Sequence, residues 1–220
     1  MIDTTAATFA LRNRARTLTV CTTGSTTLSA TATGYARAAG SFLTDGFVPG
    51  MEITPSGFAT NTVDVLTSVT ALTLTTANAR TVEASASGRT ISVTLPVNVA
   101  WDNIALDPPS GRPYLTEELV PATNTLITLP ASTGTLEETG LYVLTWYGLS
   151  DRDTGSIRSC VDALKALFSP GTTVTAGSNI VRVRTDTSVR ASQLIPQGNG
   201  WTACVLTVPW KTRTTNAIAA

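Results

Sequence analysis

Between Val20 and Leu95 the chain carries only seven charged side chains in 76 residues, and its apolar residues recur at every second position. The runs Val63-x-Val65, Val69-x-x-Leu72-x-Leu74 and Ile91-x-Val93-x-Leu95 follow the two-residue period of a strand, in which successive side chains point to opposite faces. Turn residues separate the runs at Thr44-Asp45-Gly46, Val48-Pro49-Gly50, Pro55-Ser56-Gly57 and Ala86-Ser87-Gly88. Threonine supplies 42 of the 220 residues, and its branched Cβ suits a pleated surface rather than a helix. Short strands with frequent turns predict a small all-β barrel or sandwich over 20–95. Its expected core is Phe42, Phe47, Met51, Ile53, Val65, Val69, Leu72, Leu74, Ile91 and Val93.

The flanks read differently. Residues 3–19 predict a helix, N-capped by Asp3 or Thr4, with a weak apolar face of Ala6, Phe9, Ala10 and Leu18. Arg12, Arg14 and Arg16 lie toward its C-terminal end, where cations favour the helix dipole. A solvated last turn or an acidic partner both account for them. From Pro96 onward strands return, at Pro96–Trp101, Tyr114–Pro121 and Asn124–Pro130, around the extended loop Asp107–Pro113. Leu141–Leu149 is apolar on both faces, as in a central strand covered on both sides. Ile157, Val161, Leu164 and Phe168 fall at i, i+4, i+7 and i+11 on one helix face, and Ser169-Pro170-Gly171 stops that helix. Strands are expected at 172–176, 179–184, 192–195 and 201–210. The predicted fold class is therefore α+β, a mixed or antiparallel sheet packed with a helix, carrying an inserted small β barrel or sandwich. The expected domains are 1–19 with 96–212, the insert 20–95, and a flexible tail at 213–220.

The chemistry is sparse. The chain has no histidine, so the commonest general base and metal ligand is absent. There is no phosphate-binding loop of the GxxxxGK[ST] type, and Thr44-Asp45-Gly46 lacks the ladder of acids a calcium loop needs. Cys21, Cys160 and Cys204 are odd in number and far apart, which argues for reduced, buried thiols. Glu117-Glu118 and Glu137-Glu138 are adjacent on strands, so the members of each pair face opposite ways, and all four read as solvated or interface charge. These residues give no catalytic, cofactor or metal site, and the chain is expected not to be an enzyme. Fifteen basic side chains balance fifteen acidic ones, which excludes bulk-charge binding of nucleic acid and suits a protein that self-assembles. The start of the chain shows no basic, apolar leader and no run is long enough to span a membrane, so synthesis in the cytosol is expected.

The residues that stand out belong to contact surfaces. Arg182 and Arg184 alternate with Val181 and Val183, so both guanidinium groups leave one face of a short strand. They read equally as a solvated face or as charge at a subunit interface or channel. Trp210, ending the last strand, is the expected packing anchor between subunits.

Several segments together carry a resemblance: Ala100-Trp101-Asp102-Asn103, Gly111-Arg112-Pro113-Tyr114-Leu115, Glu138-Thr139-Gly140-Leu141-Tyr142-Val143-Leu144, Leu164–Gly171 and Val205-Leu206-Thr207-Val208-Pro209-Trp210. In this order they resemble the tail-terminator-like proteins of tailed bacteriophages, over the N-terminal helix and about residues 96–212. Residues 39–53 are similar to small β modules of phage tail and virion proteins. The resemblance implies a structural virion protein: a homohexameric ring that caps the tail tube, stops its polymerisation and meets the neck or head-completion proteins. It implies a head-proximal location on the tail, synthesis in a host bacterial cytoplasm, and genomic DNA passing through the lumen without sequence-specific binding. It also implies partners limited to copies of itself, the tube protein and the neck protein, with no membrane. Contacts are then expected from Asp107 and Arg112 in the Pro-rich loop, from Arg182 and Arg184, and from Trp210 and Lys211. A head–tail connector, a tube or minor tail protein, and a surface- or carbohydrate-binding β protein are the alternatives.

Overall fold

The computed structural model describes residues 4–101, 106–107, 110–127, 134–151, 154–176 and 179–215. Helix α1, Thr4–Arg16, comes first. Seven strands follow: β1 (Cys21–Thr22), β2 (Thr26–Thr31), β3 (Gly34–Arg37), β4 (Glu52–Ser56), β5 (Asp64–Val69), β6 (Thr73–Thr76) and β7 (Glu83–Val93). The order β7-β2-β3-β6-β5-β4 returns to β7 through Thr54↔Ser92, Pro55↔Ile91 and Ser56↔Thr90, which closes a six-stranded barrel. Closure leaves no free edge along these strands. Gly34 is required where β3 meets β6, because a Cβ there would lie 1.9 Å from the Leu74 carbonyl oxygen.

Eight of the ten expected core residues of this barrel are buried. Val69 is partly buried. Leu72 is 44 % exposed because it sits in the tight β5–β6 turn, where the Thr70 amide donates to the Thr73 carbonyl. All seven charges of 20–95 are spent internally. Arg37 pairs with Asp45, Arg80 with Asp64, Arg89 with Glu83, and Glu52 with Arg112. Three of the guanidinium groups also lie over rings, of Phe42, Tyr35 and Phe58. The barrel surface is therefore mostly hydroxyl and small side chains.

The second sheet holds β8 (Asn98–Ala100), β9 (Tyr114–Leu126), β10 (Thr135–Leu149), β11 (Thr173–Ala176), β12 (Asn179–Val183), β13 (Arg190–Ala191), β14 (Ile195–Gly198) and β15 (Trp201–Thr215). Its order is β11-β12-β15-β10-β9-β8, with β13 and β14 also paired to β15. Among the described residues only β8 and β9 run parallel. β10 and β15 pair along their whole length, from Thr135↔Thr215 to Leu149↔Trp201. Helix α2, Gly155–Leu167, and its C-cap Phe168 bury the predicted face of Ile157, Val161, Leu164 and Phe168, about 1.5–3 kcal/mol for each side chain.

The expected α+β class is wrong. The chain is mostly β, 49 % strand and 13 % helix, and its second sheet is a half-barrel rather than a layer beneath a helix. The two helices are each 13 residues long, no longer than single strands of the sheet they meet. Helical periodicity is conspicuous in a sequence, whereas the length and curl of strands are not.

Two other local expectations shift. α1 buries Ala7, Ala10, Leu11 and Ala15, while Phe9 is 51 % exposed. β15 continues five residues past Trp210 to Thr215, into the expected tail. Asp3, the alternative cap of α1, and residues 216–220 lie outside the described residues.

Candidate assembly surface

β10 alternates, so each of its faces has a separate fate. Glu138, Gly140, Tyr142, Leu144, Trp146 and Gly148 are buried on the inner face. They meet Leu206, Val208 and Trp210 of β15 and the helices. On the outer face Leu141 is exposed, and Val143, Thr145, Tyr147 and Leu149 are half-buried. The expected cover on both sides is thus present on one side only.

The register assembles the outer face in rows. Leu141 lies between Pro209 and Val120, and Val143 between Thr207 and Glu118. Leu141 and Val120 are 38 % and 37 % exposed. One end of the face is aromatic: the Tyr114 and Tyr147 rings stack at 4.3 Å and Trp201 meets Tyr114 edge-on at 5.1 Å. The other end is basic. Arg182 is directly opposite Lys211, and Arg213 directly opposite Glu137. Ile180, Arg182, Lys211, Thr212 and Arg213 line a concavity of about 310 Å³ there. Glu137 accepts from Arg213 Nε at 2.8 Å and lies 3.9 Å from Lys211 Nζ. Arg184 and Asp186 form a two-bond exposed pair, which holds the Asp186 carboxyl down at about 2 and raises Arg184.

The inner face carries a polar cluster that spacing alone did not indicate. Arg12 of α1 donates from Nε to Glu117 Oε2 at 2.9 Å, and Tyr142 Oη donates to Glu117 Oε1 at 2.7 Å. Arg12 and Arg16 also lie over the Trp101 ring at 5.0 and 4.8 Å. Burial and the Glu117 carboxylate both push the Tyr142 hydroxyl up. The reading of Glu117 and Glu138 as solvated or interface charge is thereby corrected, because both are buried. Glu118 and Glu137, their neighbours, take the outer face. Arg12 is committed within the chain, and no local signal could have paired it with a residue 105 positions away.

The other expected contact residues divide. Arg182 is exposed and Lys211 half-buried, and both lie at the basic end. Arg184 is at the same end, tied to Asp186. Asp107 is exposed. Arg112 donates to Glu52 Oε2 at 3.0 Å and to the Val63 carbonyl at 3.2 Å, which ties this residue to the barrel. Trp210 is fully buried inside its own chain, so it anchors the core rather than a neighbour.

Burial pushes the Cys21 thiol up to about 12 and raises Cys160 and Cys204 as well, so none is a ready thiolate. Among the described residues no three Cys, Asp or Glu side chains converge as a metal site.

The family described as phage tail terminator protein matches residues 81–210, well over half of the chain. The match begins just before the last strand of the barrel and ends at Trp210, so it includes β8–β14 and the first ten residues of β15. One solved structure is similar at 24 % identity and a TM-score of 0.43, covering 54 % of this chain and 79 % of that one. No curated protein matches. The chain belongs to the phage tail terminator family, and it is a structural component of the phage tail, located in the virion and associated with other tail and neck proteins.

Proposed function

We propose that six copies form a closed ring that caps the tail tube, ends its polymerisation and offers the neck or head-completion proteins a docking surface. The observation that carries this reading is the uncovered outer face of β9, β10 and β15, apolar at its centre and charged at one end. A central strand with apolar residues on both faces belongs under cover. Here the cover is a neighbouring subunit. Rings require two different patches on each copy, since a head-to-tail contact closes only through such a pairing. The outer face is one patch, and the Asp107–Pro113 loop is a candidate for the other. DNA passes through the lumen, where near-zero net charge avoids tight phosphate binding. The ring sits at the head-proximal end of the tail, after synthesis in the host cytoplasm.

The same reading makes residues 1–19 and 96–212 the ring-forming unit and 20–95 an inserted barrel. Its test is the mass of the purified chain in solution. Wild type is expected as hexamers, and Leu141→Asp with Val143→Asp as monomers with an unchanged circular dichroism spectrum. A wild-type protein that stays monomeric at every concentration overturns the reading.

A further inference from the structure

The basic end of the outer face holds an imbalance that the fold does not need. Arg182 and Lys211 are opposite each other on neighbouring strands, a separation of about 5 Å between Cβ atoms, and like charges so placed destabilise a sheet. With Arg184 and Arg213 they make four cations against two carboxylates, Glu137 and Asp186. Arg182 has no counter-ion among the described residues. Arg182, Lys211 and Arg213 line a concavity with Thr212 and the apolar Ile180, itself 52 % exposed. The floor is rigid: Thr212 Oγ1 donates to the Ile180 carbonyl at 3.0 Å and staples β15 to β12.

We propose that this concavity receives an acidic segment of a partner protein, one that presents a carboxylate to the Arg182–Lys211 pair and an apolar side chain to Ile180. A guanidinium fork beside an ammonium suits a carboxylate, with charge-assisted hydrogen bonds to both. The surroundings disfavour duplex DNA. A duplex carries one phosphate charge per roughly 1.7 Å, and a backbone laid along this face would meet Glu137 and Asp186 among the cations. A short peptide can place its carboxylates between them. The site is a pocket rather than a track, and Ile180 offers nothing to a phosphate. The proposal goes beyond ring formation, since it concerns the chemistry of the docked segment and holds for any oligomeric state.

The test uses the full chain and a fluorescein-labelled peptide of alternating Glu and Leu, followed by anisotropy. A duplex oligonucleotide of similar net charge runs in parallel. Peptide binding that weakens with added salt, falls at least about tenfold in Arg182→Gln with Lys211→Gln, and exceeds duplex binding supports the proposal. The single variant Arg182→Gln, at an exposed position, guards against loss of folding and is expected to give an intermediate loss. Absent peptide binding, binding equal in wild type and variants, or duplex binding through the same pair without peptide binding each overturns it. Solution mass on the same samples separates this from the ring reading: peptide binding by a protein that never forms rings removes the ring alone.

Discussion

Trp210 lies against the backbone of Gly140, its directly opposite partner across the β10–β15 ladder. A Cβ at position 140 would sit 2.7 Å from Trp210 Cζ2 and 2.7 Å from the Val120 carbonyl oxygen. The glycine is therefore the space the indole occupies, and the β-bulge in the β9–β10 ladder falls at the same point, between Thr139 and Gly140. Gly140→Ala is expected to destabilise the chain by about 1–3 kcal/mol through overpacking. Urea unfolding followed by tryptophan emission reads the loss. An unchanged midpoint would mean that the indole has room to move.

What was legible in the sequence was the part governed by near neighbours. The 3.6-residue spacing of Ile157, Val161, Leu164 and Phe168 identified the buried face of α2, and the two-residue alternation identified most of the barrel core. Leu72, expected in the core, is exposed because the β5–β6 turn interrupts the alternation beside it. Trp210 was misread because an aromatic at a strand end has the same local pattern whether it points inward or toward a neighbour. The Gly140 gap that decides between them is 70 positions away. Arg12 and Glu117 meet only through the tertiary fold. The α+β expectation failed for a related reason: curvature follows from how long strands pair and close, and no single segment encodes that.

The Arg12–Glu117–Tyr142 cluster ties α1 to the inner face. Removing the cation alone leaves a fully buried carboxylate without its guanidinium. Arg12→Met is expected to cost about 3–5 kcal/mol, and Arg12→Met with Glu117→Gln to recover much of that, because breaking a buried pair is worse than replacing it. A double-mutant cycle from denaturant unfolding measures the coupling. Additive losses would show that the pair does not act as a unit.

Glu138 is buried, and its Oε2 has no hydrogen-bond partner among the described residues. Burial raises its pKa above the usual carboxylate value of 4.5. A raised native pKa means that the folded protein binds the proton more tightly than the unfolded chain. The associated stability is fully present below that ordinary value and is lost as pH rises through the shifted one. Glu138→Gln removes this loss. The melting temperature of the variant relative to wild type is expected to rise between acidic and neutral pH. A difference that stays constant across that interval would show that Glu138 is solvated or paired.

Arg184 and Asp186 are expected to contribute little to folding, as an exposed pair, despite the low carboxyl pKa. Asp186→Asn should shift the unfolding midpoint by no more than the error of the measurement while removing a negative charge from the basic end. A loss well beyond that would show that the pair shapes the strand rather than the surface.

On the proposed reading, this chain closes as a ring on the last ring of the tail tube. Cryo-electron microscopy of intact virions tests it most directly. The expected result is a sixfold ring of this fold at the head-proximal end of the tail, with the face of Val120, Leu141 and Val143 covered by the adjacent subunit. Density for the chain at another position along the virion, or a ring in which that face stays open to solvent, would contradict it.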